Sequence, residues 1–452
     1  MDILGNKKTI GPLYTVNGES LFGLSRQEFR NNNFANSLSL NRMNSILNQC
    51  NITDKPVGFY DFIGKILDYR EWAAECNYVL HEMPMPMLHK TPDWLSFFPE
   101  IHRKFHEDYE VFYKEKVFLC EASECYCIKT LFNLGTNYTK PTYDEHYRFF
   151  SSKLSFLLEN REKWMLRYME GWPYIRHISN DLNSVLFDFS YCANEVIEID
   201  EPCIFLGSRH NYGHWFLDFL PKFYAIEQFE HLKNLPIIVG ELKEYQKESI
   251  KILGIDKNHP IIEIPKDKGI FYKFKKAFLA SRPPYGVVKD FLQKKFVKQI
   301  PQQQKRRRLY LSRKTQGTRS RVYNDDEISL LLNKMGFEVV LPERLSIRET
   351  IELFSQAEII VSPFGAETSN MSFTDKCVLI VLLSNRCIES KEIGWVISLQ
   401  ELFPLCDYLM PVIGTPKVKA EGFFGVMDDL CEYRIEDIER AVTEAEAVLK
   451  KW

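Results

Sequence analysis

The sequence predicts an α/β protein built on parallel sheets, and three observations carry that prediction. Residues 308–370 alternate short apolar runs with segments of helical spacing, and residues 203–298 repeat the pattern. Helical segments open on acid or Asn and stop at Gly, as at Asp325, Asn211, Gly254 and Gly336. Apolar runs such as 359–361 and 378–383 are too short and too apolar for anything but buried strands. Such β-α alternation implies parallel sheets with right-handed crossovers.

Residues 1–180 carry the least signal. Gly11-Pro12 and Asn31-Asn32-Asn33 read as loop, and 83–87 (MPMPM) as an extended connector. Residues 60–78 and 94–105 have helix-compatible patterns, and 111–128 holds short strand-like runs that suggest a small meander. Residues 144–169 predict a helix, with Phe149, Phe150, Leu154, Leu157 and Leu158 as its apolar stripe. This region is expected to be an accessory layer on the domain that follows, or a platform for a partner or acceptor.

From 181 to 300 the spacing predicts a first Rossmann-like domain. Residues 185–189, 203–206, 235–239, 261–264 and 272–279 read as strands, and 245–253 and 289–298 as helices. After the strand at 203–206 comes a turn in which Asn211 is placed to cap a helix carrying His214, Trp215 and Asp218. His214 and Asp218 are four apart, so they share a helical face, and a carboxylate there orients an imidazole as a base. For that spacing by itself, a hydrogen-bonded tie between loop and helix is the competing reading.

Residues 301–308 shift to Gln, Lys and Arg and are taken as the linker; with Lys294, Lys295 and Lys298 they offer contact to anionic lipid, or a solvated face. A second Rossmann-like domain follows over 301–430. Its strands are read at 309–311, 337–340, 359–361, 378–383 and 408–412, and its helices from Asp325, over 346–354 and over 399–405. The turn Ser362-Pro363-Phe364-Gly365-Ala366 leads into Glu367, Thr368, Ser369 and Asn370. A helix opening there presents backbone N–H groups to an anion. Arg313, Lys314, Arg319 and Arg321 lie after the preceding strand, at the same predicted sheet edge, where α/β sheets bind ligands. Residues 431–452 form a terminal segment whose spacing predicts a helix over 435–449, with Ile438, Ala441, Val442 and Ala445 on its apolar face.

The chain's 452 residues suffice for two or three domains. A net charge of -3 argues against a general nucleic-acid binder. The 11 Cys form no zinc-site spacing and suit a reducing compartment. No signal peptide or spanning apolar run is evident, which points to a cytoplasmic protein.

RLYLSRK, RVYNDDE, GFEVVLPE and FGAETSN, with HNYGHWFLDFLPKF upstream at 210–223, resemble the signature blocks of glycosyltransferase family 61. The resemblance departs at the turn: the family usually has His and a second Gly where this chain has Phe364 and Glu367. It implies a GT-B-like architecture, two Rossmann-like domains facing a cleft with the terminal helix of 431–452 crossing back to the first, and inverting transfer of a sugar from a nucleotide donor to a glycan hydroxyl. Its natural setting is bacterial surface polysaccharide synthesis, capsule or lipopolysaccharide. On that reading Arg313, Lys314, Arg321, Gly365, Ala366, Thr368, Ser369 and Asn370 bind the donor diphosphate. Asn211, Tyr212 and Trp215 lie on the acceptor side, and His214, Asp218 or Glu367 is the base. No metal and no resident cofactor is expected; a UDP-sugar is the first choice of donor. A glycan or lipid-linked glycan would be the acceptor, with peripheral contact at the inner membrane face. The rivals are a non-catalytic nucleotide-sugar or glycan-binding protein on the same fold, and another transferase on a double Rossmann scaffold, such as a pyruvyl transferase.

Overall fold

The computed structural model describes residues 7–9, 59–61, 79–83, 117–129, 147–151, 175–178, 184–187, 195–208, 210–264, 270–280, 285–299, 306–389, 405–420 and 428–452. Strands in the first half of the chain are β1 (Lys7–Thr9), β2 (Phe59–Asp61), β3 (Val79–Met83), β4 (Val117–Lys129), β5 (Tyr147–Ser151), β6 (Ile175–Ile178) and β7 (Ser184–Phe187). They are followed by β8 (Glu195–Ile199), β9 (Cys203–Phe205), β10 (Ile237–Gly240), β11 (Ile261–Ile264) and β12 (Ile270–Ala280).

β12, β9, β10 and β11 run parallel and neighbour one another in that order. The last strand of the unit thus lies beside the first, and β9 is flanked by strands whose crossovers leave in opposite directions. That is a switch point, where a crevice opens beyond the carboxyl ends of the strands. Helix α1 (Glu244–Leu253) joins β10 to β11 and ends at Gly254, whose φ of 67° supplies the left-handed cap. Helix α2 (Tyr285–Lys295) follows β12.

Of the described strands in the N-terminal region, β1, β3, β4 and β5 belong to the same sheet as β12. β4 is a single 13-residue strand hydrogen-bonded antiparallel along β12, with β3 and β5 beside it. From 117 onward the meander read at 111–128 is therefore one long strand, and 111–116 lie outside the described residues. Glu121, Ser123 and Glu124 interrupt its apolar residues, which left short runs that hid its length. The helix read over 144–169 is contradicted at 147–151: Tyr126 and Cys127 of β4 pair with Phe150 and Phe149 there. Two adjacent Phe suit a strand edge as well as a helical stripe. β2, at 59–61, likewise stands where the helix of 60–78 was read to begin; β2, β7 and β6 form a small antiparallel sheet.

The second unit begins with β13 (Arg307–Leu311) and continues through helix α3 (Asp325–Lys334), β14 (Glu338–Val340), helix α4 (Ile347–Ser355), β15 (Ala357–Pro363), β16 (Val378–Ser384), β17 (Tyr408–Val418), β18 (Leu430–Glu432) and helix α5 (Ile435–Leu449). Its sheet order is β14-β13-β15-β16-β17-β18, parallel except for β18. In sequence terms this is a 2-1-3-4-5 sheet, whose switch point falls between β13 and β15. Ser346 opens α4 with a capping box: its Oγ accepts from Glu349 N at 3.2 Å, and Glu349 Oε2 accepts from Ser346 N at 2.8 Å. The helix read over 399–405 falls almost wholly outside the described residues.

Alternation along the second sheet decides how the molecule is filled. Leu309, Leu311, Ile360, Leu379 and Val381 point to one side, where they share a buried cluster with Phe216, Phe219, Phe291 and Phe296 of the first unit. Phe216 meets Phe373 edge-on at 5.6 Å, and Phe296 meets it at 5.8 Å. Tyr310, Ile359, Val361, Ile380 and Leu382 point to the other side, onto Ile438, Ala441, Val442 and Ala445 of α5. The terminal helix therefore covers the second sheet and does not cross back to the first unit. That sheet has two apolar faces, and α3 and α5 close the one the first unit leaves bare.

The basic run at 306–308 is mostly structure rather than linker. Arg307 pairs with Glu338, and Arg308 with Glu358 at 3.2 Å and Glu446 at 2.6 Å. Among the described residues no helix is long and apolar enough to cross a membrane.

Candidate active site

The two switch points face each other and touch. From the carboxyl end of β9 the chain turns at 206–211 into a helical run over 212–226. Asn211 caps it, accepting from His214 N at 3.1 Å, as its spacing predicts. From the carboxyl end of β15, Phe364 and Gly365 lead into a 3-10 helix, Ala366–Phe373. Tyr212 donates its hydroxyl to Asn370 Oδ1 at 2.8 Å, 158 residues away. A side chain at Gly213 would lie 3.5 Å from the Ala366 backbone. Burial, then Tyr245 and the Glu367 carboxylate, push the Tyr212 phenol above its ordinary range, so it stays a donor. Glu248 of α1 ties the units again: its carboxylate accepts from Ile347 N at 3.1 Å and Arg348 N at 3.3 Å, capping α4 from the other unit.

On the first-unit side, His214 Nδ1 and Asp218 Oδ2 are 2.5 Å apart. The pairing follows the four-residue spacing, but the intervening segment Trp215–Phe219 is a π-helix, a form that recurs at functional sites. Asp218 is fully buried and His214 half-buried, so the imidazole is held from beneath and reaches the solvent edge. With Nδ1–H donated to the carboxylate, Nε2 is the basic nitrogen. Trp215, expected on the acceptor side, is instead fully buried and donates Nε1–H to Ser249 Oγ at 2.8 Å. Its register on the helical run turns it toward α1, so it supports the corner without facing a ligand.

On the second-unit side the basic residues separate. Arg313 is buried; its Nε and Nη2 donate to Gln316 Oε1 at 2.9 and 2.7 Å, and Nε lies 3.4 Å from Glu367 Oε1. Gln316 in turn donates to Glu367 Oε1 at 2.9 Å. Arg321 has a left-handed backbone with φ of 64°. Its guanidinium donates to Phe364 O and to Asp428 Oδ1, the latter at 3.1 Å from Nε and 2.5 Å from Nη2. Arg313 and Arg321 thus converge on the turn. Lys314 does not: it is exposed and paired with Asp326, whose hydrogen bond raises its pKa. The Arg319 side chain lies outside the described residues.

Gly365 is extended, so its backbone does not require glycine; its surroundings do. A Cβ there would stand 2.7 Å from Arg313 Nη1, 2.7 Å from Glu367 Oε2 and 3.0 Å from Arg321 Nη1. The hydroxyls of Thr368 and Ser369, expected on a phosphate, fold back onto Gly365 O at 2.5 Å and Ala366 O at 2.7 Å. In a 3-10 turn the i-3 carbonyl is in reach, so these hydroxyls brace the turn.

Sequence reasoning missed three supports. Asp325 was read as helix-terminal acid only; buried, it accepts from Tyr310 Oη and Ser312 Oγ, both at 2.8 Å, and so fixes the start of the loop carrying Arg313. Gln316 had no signal beyond its place in a basic loop. Asp428, the partner of Arg321, lies 107 residues away and had none. Among the described residues no three His, Cys, Asp or Glu side chains come together to hold a metal.

Two doubly wound sheets meet at their switch points, with an imidazole–carboxylate pair on one side and guanidiniums on the other. Residues 212–381 match the Glycosyltransferase 61 family model. The matched stretch runs from Tyr212 to the middle of β16 and contains His214, Asp218, Arg313, Arg321, Gly365 and Glu367. The family's chemistry is sugar transfer, with a nucleotide-sugar donor and a glycan acceptor. No curated protein matches the chain.

Proposed function

We propose that this protein is an inverting glycosyltransferase of GT-B-like arrangement that moves a sugar from a nucleotide donor to a carbohydrate hydroxyl. The observation that carries the reading is the contact of the two switch points, Tyr212 on Asn370 at 2.8 Å, inside one family segment. The donor's phosphates lie against the 365–370 turn, with Arg313 and Arg321 stabilising the charge that develops as the nucleotide leaves. The acceptor hydroxyl gives its proton to His214 Nε2. Its oxygen bonds to the anomeric carbon as the bond from that carbon to the donor phosphate oxygen breaks. Asp218 holds the imidazole and stabilises its charged form. Glu367 is a weaker choice of base, because one of its oxygens is already spent on Gln316 and Arg313.

The guanidiniums serve where other transferases use a divalent ion, so turnover should survive EDTA. Loss in EDTA that Mg²⁺ or Mn²⁺ restores would contradict this. A UDP-sugar is the first donor to assay, with surface polysaccharide synthesis as the setting. His214→Ala separates the enzyme from the non-catalytic reading: transfer should disappear while nucleotide binding persists. If wild type binds nucleotide but transfers to no glycan acceptor, the binding-protein reading stands.

A further inference from the structure

We propose that Glu367 is an internal anion of the donor site, a specificity-determining carboxylate that holds the place of a ligand phosphate on Arg313. The inference rests on the donor-site reading above and adds what that site contains before a ligand arrives.

Three observations lead to it. Arg313, the best-placed guanidinium for a phosphate, has only 6% of its side chain exposed. What covers it is the Gln316–Glu367 pair: Gln316 binds Arg313 through Oε1 and Glu367 through Nε2, closing a three-membered cluster over the turn. The second Glu367 oxygen, Oε2, is buried and among the described residues has no hydrogen-bond partner. It is held against Gly365, in the same small space as the Nη1 atoms of Arg313 and Arg321.

A buried carboxylate oxygen without a hydrogen bond is costly, and two nearby guanidiniums are what keep it there. A phosphate offers the same guanidiniums more charge and more acceptor oxygens. Ligand and Glu367 therefore compete for Arg313, and a phosphate gains it only when the carboxylate withdraws or loses its charge. The charge count agrees. Among the described side chains that converge on the turn, Arg313 is paired with Glu367 and Arg321 with Asp428. Glu367 consequently lowers affinity for any phosphate-bearing ligand and weighs most against the most highly charged one.

The test compares wild type with Glu367→Gln by calorimetric titration. The probes are UDP, GDP and CDP, and the parent nucleoside of whichever binds wild type most tightly. Glutamine keeps the shape and the contact to Gln316 but removes the competing charge. The expected result is a gain of about tenfold in nucleoside diphosphate affinity with nucleoside affinity unchanged. Gln316→Ala, which loosens the cover and keeps both charges, should give a smaller gain in the same direction. Diphosphate binding that is unchanged or weaker in Glu367→Gln, with wild type binding normally, overturns the assignment and leaves the donor site standing. An equal gain for the nucleoside also overturns it, since competition for Arg313 requires a phosphate. Absence of binding to wild type and both variants removes the donor site itself, and this assignment with it.

Discussion

At the 210–218 corner the titratable pair is satisfied within one helical run, and His214 keeps 22% of its side chain exposed. At the corner formed by 312–321 and 364–370, both guanidiniums are tied to carboxylates and Arg313 keeps 6%. On the proposed function the first corner takes the substrate proton and the second exchanges an internal anion for an external one. The difference shows where rearrangement is required. Phe216, Phe296 and Phe373 join the units in a common core, so prying the units apart would expose aromatic surface. Side-chain exchange at Glu367 and Gln316 opens the phosphate corner without that cost.

The largest effect expected is on the ready corner. His214→Ala should lower transfer by roughly 10²–10⁴-fold, the usual range for a lost general base, with nucleotide affinity within about twofold in a titration. A parallel fall in binding would erase the distinction between the corners. Phe216→Ala tests whether they stand on a common core. It should cost about 3–5 kcal/mol in urea unfolding and lower the melting of both units in one transition. Two separated transitions would show that the units are independent. Gly365→Ala inserts a methyl among Arg313, Glu367 and Arg321. A cost of roughly 1–3 kcal/mol is expected in the same unfolding measurement, with nucleotide binding disturbed and the His214 corner intact. Glu248→Ala removes the cap that the first unit places on α4 and should cost about 1 kcal/mol by thermal unfolding. Smallest is Tyr212→Phe, about 1 kcal/mol for an Asn370 acceptor left without its donor; a reduced turnover with unchanged nucleotide affinity would mark its role as registering the two corners.

Much of this was legible in the sequence because it is written locally. Strands at 203–205, 237–240 and 378–384 are near-continuous apolar runs, since both faces of a parallel sheet are buried. α5 was read to its exact limits from apolar spacing, but its destination was not: which sheet face lacks a cover is a property of the whole sheet. His214 with Asp218 followed from a four-residue interval. Arg313 with Glu367 and Arg321 with Asp428 did not, because pairs 54 and 107 residues apart leave no periodic trace. The resemblance identified the basic loop and the turn as one site. It said nothing of their internal neutralisation, which depends on Glu367 standing where the family usually has glycine.

On the proposed function both switch points form a single site, with the nucleotide on the second unit. Hydrogen–deuterium exchange with and without UDP-, GDP- and CDP-sugars tests it most directly. One of these donors should protect 312–321 and 364–373 together, with 210–216 slowed as well because Tyr212 closes on Asn370. Protection confined to the first unit, or none with any donor, would contradict it.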